Sequence, residues 1–314
     1  MITMRPWFAL SLALVLGCTS GDADPPASAG GGGGSATTGS TSGTATGGAG
    51  GAPSGSPSAG GSGGDVSIPF EPLFADDFES YTDGQPLSPL PDYDAAGRTI
   101  ASDEQVFRGQ MAARMAIESG DAGGFGQWGF IIPFQPLEKG REIWVRLAIW
   151  WPQSFEFSAT PWMKFLRLHA RTGDGSNGGY NDLYVDEADS TTSVLRTIKE
   201  VHNVWDVYDG APIPRGQWES YEMYLFIDDV PADDGGSGRF RIWRDDELIF
   251  DRTDVPTITE ASGDIDALYV FTYWNNEMPP NNHCFMDDLI LATDASPPTN
   301  VDAEGNVFIG DYTW

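Results

Sequence analysis

The sequence predicts an all-β fold, built as an antiparallel two-sheet β-sandwich or jelly roll. Apolar and polar residues alternate with period two along ten segments that are rich in β-branched and aromatic residues. Turn-forming runs such as Lys139-Gly140 and Gly173-Asp174-Gly175 separate these segments. No segment shows a convincing helical pattern. So many strands in one unit of this length favour two packed sheets.

The predicted strands run from residue 106 to residue 292. Residues 192–204 are ambiguous, because their pattern suits either an amphipathic helix or a pair of strands. The other segments are predicted as strands over 106–117, 125–134, 142–151, 162–171, 180–186, 218–228, 238–244, 247–252, 266–275 and 283–292.

Residues 1–18 have the pattern of a secretion signal. Arg5 is followed by an apolar run too short to span a membrane. The run ends in Val15-Leu16-Gly17-Cys18, which resembles a bacterial lipobox. Acyl chains on Cys18 would anchor the protein to a membrane. The alternative is an ordinary cleaved signal in which the cysteine occurs by chance.

Residues 19–65 consist almost entirely of Gly, Ser, Ala, Thr and Pro, which predicts a flexible tether with no core of its own. Residue 19 is Thr rather than Asp, and by analogy with lipoprotein sorting this points to the outer membrane. Residues 66–314 are long enough for one large domain. The expected organisation is therefore a signal (1–18), a tether (19–65) and a jelly-roll domain at the cell surface (66–314).

Composition excludes several function classes. The 314 residues include 17 Lys and Arg against 46 Asp and Glu, a net charge of −29. Nucleic acid is not an expected partner, because phosphate binding needs a basic surface. Membrane contact is expected through the lipid anchor only, since no apolar stretch reaches the length of a transmembrane helix. The two cysteines provide no disulfide framework, and Cys284 is expected to be a buried core residue. We expect a monomer.

Several predicted strands combine an apolar face with a second face of aromatic and cationic residues. In 162–171, Lys164 falls with the leucines on one face, whereas Arg167, His169 and Arg171 share the other with Met163 and Phe165. Aromatic rings stack on sugar C–H faces, and guanidinium or amide groups bind hydroxyls and carboxylates. The second faces therefore predict sugar binding. The candidate residues are Trp144, Trp150, Lys164, Arg171, Arg241, Trp243 and Asn275. The alternative is that long loops cover these faces and bury the aromatic residues.

Three places in the sequence resemble the concanavalin A-like jelly roll of polysaccharide lyases, laminarinase-type glycosidases and lectin modules. Residues 74–84 (FADDFESYTDG) are similar to the first strand of such domains. Residues 216–222 (GQWESYE) and 238–245 (GRFRIWRD) resemble a central strand pair. Residues 273–276 (YWNN) and 285–290 (FMDDLI) resemble the last two strands. The resemblance spans about residues 73–293 and specifies a fold more than a reaction.

The catalytic motifs of alginate-type lyases match less completely. Arg167-Leu168-His169 is the nearest counterpart of their Gln-x-His strand, and Tyr273-Trp274-Asn275 of their late Tyr and Asn strand. Arg146 could represent their early arginine strand. No Glu-x-Asp-x-x-Glu run occurs, which disfavours hydrolysis by two close carboxylates.

β-Elimination next to a uronate needs a cation, a base and an acid. Arg167 or Arg146, with Asn275, could neutralise the substrate carboxylate. His169 could remove the C5 proton, and Tyr184 or Tyr273 could protonate the leaving oxygen. An alternative role for His169 is a partner to one of the many carboxylates.

Acidic pairs at the two ends of the domain predict a structural Ca²⁺ as the only cofactor. Asp77 and Glu79 at the start and Asp288 at the end fall on segments that are adjacent in the related fold. Carboxylate oxygens suit Ca²⁺. The alternative is that these residues are solvated or cap turns.

The sequence thus predicts a cell-surface domain that recognises a polysaccharide. Cleavage of an acidic glycan by β-elimination is the first hypothesis. The second is a non-catalytic lectin-like module, and the third is an adhesive surface lipoprotein. Convergence of Arg167, His169, Tyr184 and Tyr273 in one groove would favour the first.

Overall fold

A computed structural model describes residues 70–87, 97–118, 124–125, 129–157, 162–189, 192–200, 204–274 and 281–314. The proposed signal and tether, including Cys18, lie outside these residues. The described strands are β1 (Phe74–Asp76), β2 (Thr99–Ser102), β3 (Ala112–Ile117), β4 (Gly124–Phe125), β5 (Phe130–Glu138), β6 (Glu142–Trp150), β7 (Trp162–Arg171), β8 (Asn177–Asp189), β9 (Thr192–Lys199), β10 (Val204–Val207), β11 (Trp218–Phe226), β12 (Arg239–Arg244), β13 (Glu247–Arg252), β14 (Asp264–Trp274), β15 (Asn282–Thr293), β16 (Asn300–Val301) and β17 (Val307–Phe308). One 3-10 turn covers Ala232–Asp234.

Within these residues the strands form two large antiparallel sheets. Sheet A has the order β13-β12-β11-β6-β15-β3-β2, and β1 also pairs with β15. Sheet B has the order β10-β9-β8-β7-β14-β4, and β5 also pairs with β14. β7 to β10 are consecutive neighbours, but pairs such as β6 with β15 and β7 with β14 join strands that are distant in sequence, as in a jelly roll rather than a simple meander. The all-β, antiparallel sandwich predicted from the sequence is confirmed.

The core lies between the two sheets and is formed by alternate residues of each. Leu147 and Met223 of sheet A pack in one cluster with Leu168 and Leu268 of sheet B. Trp151, which follows β6, lies at the centre of an aromatic group with ring centroids 4.7 to 5.8 Å away, formed with Phe155, Phe157, Phe165 and Phe271. This cluster fixes β7 and β14 against sheet A. Cys284 is buried in the same core, as expected.

A bulge in β7 changes which side chains face outward. Lys164 pairs with Tyr184, and Leu166 pairs with Leu183, so Phe165 is an extra residue. Both Phe165 and Leu166 point into the core, which places Lys164 on the outward face with Arg167. The assignment of Lys164 to the leucine face, and of Phe165 and Met163 to the arginine face, was therefore wrong.

A matching irregularity in β14 places another aromatic ring in the core. Phe271 has a φ of 51° and lies within a register shift between Val270 and Tyr273. Its ring stacks on that of Phe165 at 4.7 Å. Simple alternation along β14 would put Phe271 on the same face as Tyr269, but Phe271 is in the core and Tyr269 faces outward with the site described below.

One further segment differs from its predicted structure, and the structure decides between the two alternatives for another. Residues 106–111 are a loop rather than the start of a strand, because the backbone N–H groups of Phe107 and Arg108 donate to Asp287 instead of a strand neighbour. The ambiguous 192–204 segment contains a strand, since β9 pairs antiparallel with both β8 and β10. No helix in the described part of the chain is long and apolar enough to cross a membrane.

Candidate functional site

The outward face of sheet B carries a dense group of ionisable and aromatic side chains. β7 contributes Lys164, which precedes its bulge, and Arg167, His169 and Arg171, which occupy alternate outward positions after it. β8, β14 and the turn after β9 contribute the remaining members, which are Tyr180, Asp182, Tyr184, Asp264, Asp266, Tyr269 and Glu200. We call this set the sheet B face.

Arg167 is the centre of the sheet B face. Its side chain is only 2% exposed, and its Nε donates to Asp182 Oδ1 at 2.6 Å. The ring of Tyr180 lies over the guanidinium, 3.5 Å from Cζ to the ring centroid. This cation–π contact and the buried ion pair hold Arg167 rigidly. Its Nη2 donates to a further acceptor, Glu200 Oε1, at 3.2 Å.

Asp182 is fully buried beneath the sheet B face. Burial raises its pKa to about 7, and the charge of Arg167 only partly opposes this. Its Oδ2 has no hydrogen-bond partner among the described residues. A carboxyl group in this position changes its charge near neutral pH.

Glu200 receives three donors on one carboxylate oxygen. Lys164 Nζ lies 3.0 Å, Arg167 Nη2 3.2 Å and the Tyr184 hydroxyl 2.8 Å from Oε1. Burial would raise the pKa of Glu200, but the charges of Arg167 and Lys164 outweigh it, and the pKa is lowered. The Tyr184 ring is buried, and burial holds its pKa well above the ordinary value. The three donors thus form a binding position for a carboxylate.

His169 lies two residues after Arg167 on β7, on the same outward face. Its Nδ1 is 2.6 Å from Asp266 Oδ1, and its Nε2 is 3.2 Å from Asn177 Oδ1. Its side chain is 13% exposed, so solvent reaches the ring. The rings of Tyr180 and Tyr269 lie 4.9 and 5.7 Å away. Asp266 therefore orients the imidazole so that Nε2 is directed away from the carboxylate.

Arg171 extends the charged group at the end of β7. Its guanidinium forms two hydrogen bonds with Asp264, both at 2.9 Å, and lies 3.3 Å from Asp266 Oδ2. Because Asp266 contacts both Arg171 and His169, this arginine stabilises the carboxylate that holds the histidine. Arg171 is thus engaged with protein carboxylates, like Lys164 and Arg167.

Arg146 does not join this group. It is on β6 in sheet A, where its Nη1 lies 2.8 Å from Asp246 and 3.6 Å from Glu222. Glu222 is fully buried, and burial raises its pKa to about 7. The structure therefore separates Arg146 from Arg167 and His169, which were grouped with it in the sequence prediction.

The aromatic and cationic face of sheet A is covered by the chain itself. Trp144 donates through Nε1 to the Val307 carbonyl, and Trp243 donates to Asp302. Both indoles are buried in a small second core that Phe308 helps to close. Arg241 is buried beside Asp251 and lies over the Tyr224 ring. The alternative of a covered face therefore holds here, and Trp144, Trp243 and Arg241 do not form an open sugar-binding surface.

Trp150 lies at the end of β6, where sheet A is only partly covered. Its ring centroid is 5.9 Å from that of Trp218, which in turn is 5.5 Å from Phe107. This aromatic group belongs to sheet A and is not part of the sheet B face.

Phe308→Ala is expected to lower the free energy of unfolding by about 3 kcal/mol, because it opens the cover over Trp243. The affinity for a glycan bound on the sheet B face should not change. Urea denaturation and calorimetric titration of the same samples measure the two quantities. Unchanged stability, or lost glycan binding in a folded variant, would contradict this description of sheet A.

Two predicted site residues fall at the end of β14 or beyond it. Tyr273 pairs with Lys164 through the backbone of β14. Asn275 lies outside the described residues, as does His202. His283 is half-buried on sheet A, where its ring contacts Phe285, and burial lowers its pKa.

The predicted calcium ligands already have other partners. Glu79 Oε1 accepts the backbone N–H groups of Gln110 and Met111. Asp288 accepts the Trp314 indole N–H and lies 3.2 Å from Arg108. Asp77 caps the following turn by accepting the N–H of Glu79. No cluster of three metal-ligating side chains occurs among the described residues. These three residues therefore do not fit a Ca²⁺ site in this arrangement.

The buried carboxyls predict how stability depends on pH. Burial raises the pKa values of Asp182, Glu222 and Asp287 to about 7 in the folded state. Between about pH 4 and pH 7 the native protein therefore binds protons that the unfolded chain has released, and the free energy of unfolding falls as pH rises. Asp228 and Asp294 have lowered pKa values, so their contribution is lost only below about pH 4.

We therefore expect the free energy of unfolding to be highest near pH 4 and to decline up to about pH 7, as measured by urea denaturation at each pH. The decline should be shallower in Glu222→Gln, which removes one of the three titrating groups. A free energy of unfolding that rises from about pH 5 to pH 8 would contradict this prediction.

Some members of the sheet B face were not named as site residues from the sequence. Period-two alternation places Tyr180 and Asp182 on the same face of β8 as Tyr184, and Tyr269 on one face of β14, but it does not show that these faces meet Arg167 and His169. Asp266 also follows that pattern, two residues after Asp264. Glu200 has no such signal, because it belongs to a turn.

Comparisons with known structures confirm the predicted jelly roll. A mutant of the alginate lyase Aly36B in complex with alginate tetrasaccharide has a TM-score of 0.52 and 14% identity, over 69% of this chain and 95% of that chain. A second Aly36B mutant, in complex with alginate trisaccharide, has a TM-score of 0.50 and 14% identity, over 69% and 96%. The endo-β-1,4-glucuronan lyase from the fungus Trichoderma reesei has a TM-score of 0.43 and 12% identity, over 70% and 90%.

No protein-family model and no curated protein matches the sequence. The likeness is therefore one of fold. The described domain has the jelly-roll architecture seen in polysaccharide lyases, and its function has to be argued from its own residues.

Proposed function

We propose that this protein binds an acidic polysaccharide on the sheet B face and cleaves it by β-elimination beside His169. The observation that carries the proposal is the His169–Asp266 pair, which is partly exposed and lies on the same strand as the carboxylate-binding donors Lys164 and Arg167. The Aly36B structures, which share the fold, hold alginate oligosaccharides.

In this reaction His169 is the base. Once the saccharide displaces Asn177 Oδ1 from its contact with Nε2, this nitrogen removes the C5 proton of a uronate, and Asp266 stabilises the imidazolium through Nδ1. The electron pair of the broken C5–H bond forms a C4–C5 double bond as the C4–O bond breaks. Lys164 and Arg167 Nη2 neutralise the uronate carboxylate, which makes the C5 proton acidic.

The leaving oxygen takes a proton from a tyrosine, which we assign to Tyr269. Its ring lies beside that of His169, and burial raises its pKa, so it keeps its proton at neutral pH. Tyr184 is less suited, because its ring is buried and its hydroxyl donates to Glu200. Solvent then reprotonates the tyrosine and removes the proton from His169.

One observation favours a binding module without catalysis. The described cations of this face are already paired with carboxylates, Arg167 with Asp182 and Arg171 with Asp264. Such a face could hold a saccharide through hydroxyl contacts and aromatic stacking alone.

Ultraviolet absorbance of the unsaturated uronate product tests the proposal. The protein would be incubated with alginate, glucuronan, pectate and glycosaminoglycans, with a neutral glucan as the control substrate. We expect absorbance to rise with one acidic polymer and not with the glucan. No rise, together with retardation of the protein in gels that contain an acidic polymer, would favour the binding module.

We also propose that acyl chains on Cys18 attach the protein to the outer membrane and that residues 19–65 act as its tether. A lipid-modified cysteine supplies the apolar area that an acidic domain lacks. Cys18→Ser is expected to move the protein from the membrane fraction to the soluble fraction. Unchanged fractionation would contradict the anchor.

A further inference from the structure

Glu200 is a turn residue whose carboxylate lies among three hydrogen-bond donors. Its Oε1 accepts from two cations and one hydroxyl, contributed by Lys164, Arg167 and Tyr184. The donors belong to β7 and β8, whereas Glu200 follows the end of β9. The binding position and the group that fills it therefore come from different parts of sheet B.

Two of the three donors, Arg167 and Tyr184, are held in place by contacts other than those with Glu200. Arg167 is fixed by Asp182 and by the Tyr180 ring, and its side chain is almost fully buried. The Tyr184 ring is buried in the sheet. Lys164 is 15% exposed, and Glu200 is the most exposed of the group at 28%. Glu200 is thus the outermost residue of the group. Arg167 and Tyr184 are already in position before a ligand binds.

The charge of this position matches a uronate carboxylate. If Glu200 left this position, the charges of Lys164 and Arg167 would be opposed by Asp182, which lies beneath them and whose pKa burial raises to about 7. The position would then be positive. In the free protein the carboxylate of Glu200 offsets this positive charge. The chain as a whole has a net charge of −29.

We propose that Lys164, Arg167 Nη2 and Tyr184 form a subsite for the carboxylate of a uronate, and that Glu200 fills this subsite in the free protein and is displaced by the saccharide. The nature of the saccharide rests on the proposed function. Glu200 acts as an intramolecular competitor, because a ligand must exchange its own carboxylate for one that is already bound.

Glu200→Ala is expected to increase the affinity for the acidic polymer by about 10-fold, which corresponds to about 1.4 kcal/mol. Calorimetric titration of the full-length protein measures the change. Glu247→Gln on sheet A is the control, because it also removes an exposed negative charge, but far from β7 and β8 in the strand order. Unchanged or weaker binding in Glu200→Ala, with wild-type binding intact, would overturn the proposal.

A second measurement tests the carboxylate subsite even if the protein binds no polymer. Free glucuronate should raise the midpoint temperature of Glu200→Ala by about 3 °C at a concentration tenfold above its dissociation constant, and should leave the wild type nearly unchanged. Glu200→Gln, which keeps the size of the side chain, serves if the alanine variant does not fold. Lys164→Met in the same background should abolish the shift. Equal shifts in all variants would overturn the subsite, whereas a specific shift without polymer cleavage would refute only the lyase.

Discussion

His169→Ala is expected to lower the rate of uronate elimination by about 100- to 10,000-fold. The loss follows from the removal of the group that takes the C5 proton, since the remaining side chains of the sheet B face can still bind the saccharide. The KM should therefore change little compared with kcat. Initial rates of ultraviolet absorbance at several polymer concentrations separate the two quantities.

The matched control is His283→Ala, which removes a half-buried histidine from sheet A. It should retain the wild-type rate. Asp266→Asn should give an intermediate loss, because the imidazole remains but its Nδ1 no longer faces a negative charge. A wild-type rate in His169→Ala would exclude this residue as the base.

Arg167→Met is expected to lower the free energy of unfolding by about 3 to 5 kcal/mol at neutral pH. Methionine fills much of the same space but leaves the carboxyl of Asp182 buried without its cation. Because a protonated Asp182 needs no cation, the loss should be smaller near pH 5 than near pH 8. Urea denaturation at both pH values measures the difference.

Arg171→Met is the control for a less buried ion pair on the same strand. Its partner Asp264 is partly exposed, so the cost should stay below about 1 kcal/mol. Adding Asp182→Asn to Arg167→Met should recover part of the lost stability. If Arg167→Met were as stable as the wild type at all pH values, the buried pair would have no structural role.

The sequence predicted the parts of the site that depend on strand alternation. Arg167 and His169 share the outward face of β7 because they are two residues apart after the bulge. Lys164 was assigned to the wrong face because the bulge inserts an apolar residue beside another apolar residue, and this leaves no mark in the pattern. Tyr180 and Tyr269 followed the alternation, but their contact with Arg167 and His169 depends on which strands are neighbours in sheet B.

Other features depended on contacts between residues far apart in sequence. The aromatic face of sheet A was predicted correctly as a face, but the segment that covers it comes from residues 300–314. Glu200 reaches Arg167 across 33 positions of the chain, from a turn whose place is set by the pairing of β8 and β9. Period-two patterns carry no information on such contacts.

The high negative charge of the chain opposes binding of a polyanion unless the binding surface is locally positive. The structure places the cations of β7 together on one face, where they are masked by carboxylates of this chain. Displacement of Glu200 would unmask two of them at once. Binding should therefore weaken with added salt more in Glu200→Ala than in the wild type.

Hydrogen exchange of the His169→Ala variant, with and without the acidic polymer that the wild type cleaves or retains, tests the central claim most directly. This variant should hold the saccharide without consuming it. We predict slower exchange in β7, β8 and β14 on binding, and no change in β11 or in residues 300–314. Protection confined to sheet A and its C-terminal cover would contradict the assignment of the sheet B face as the saccharide-binding surface.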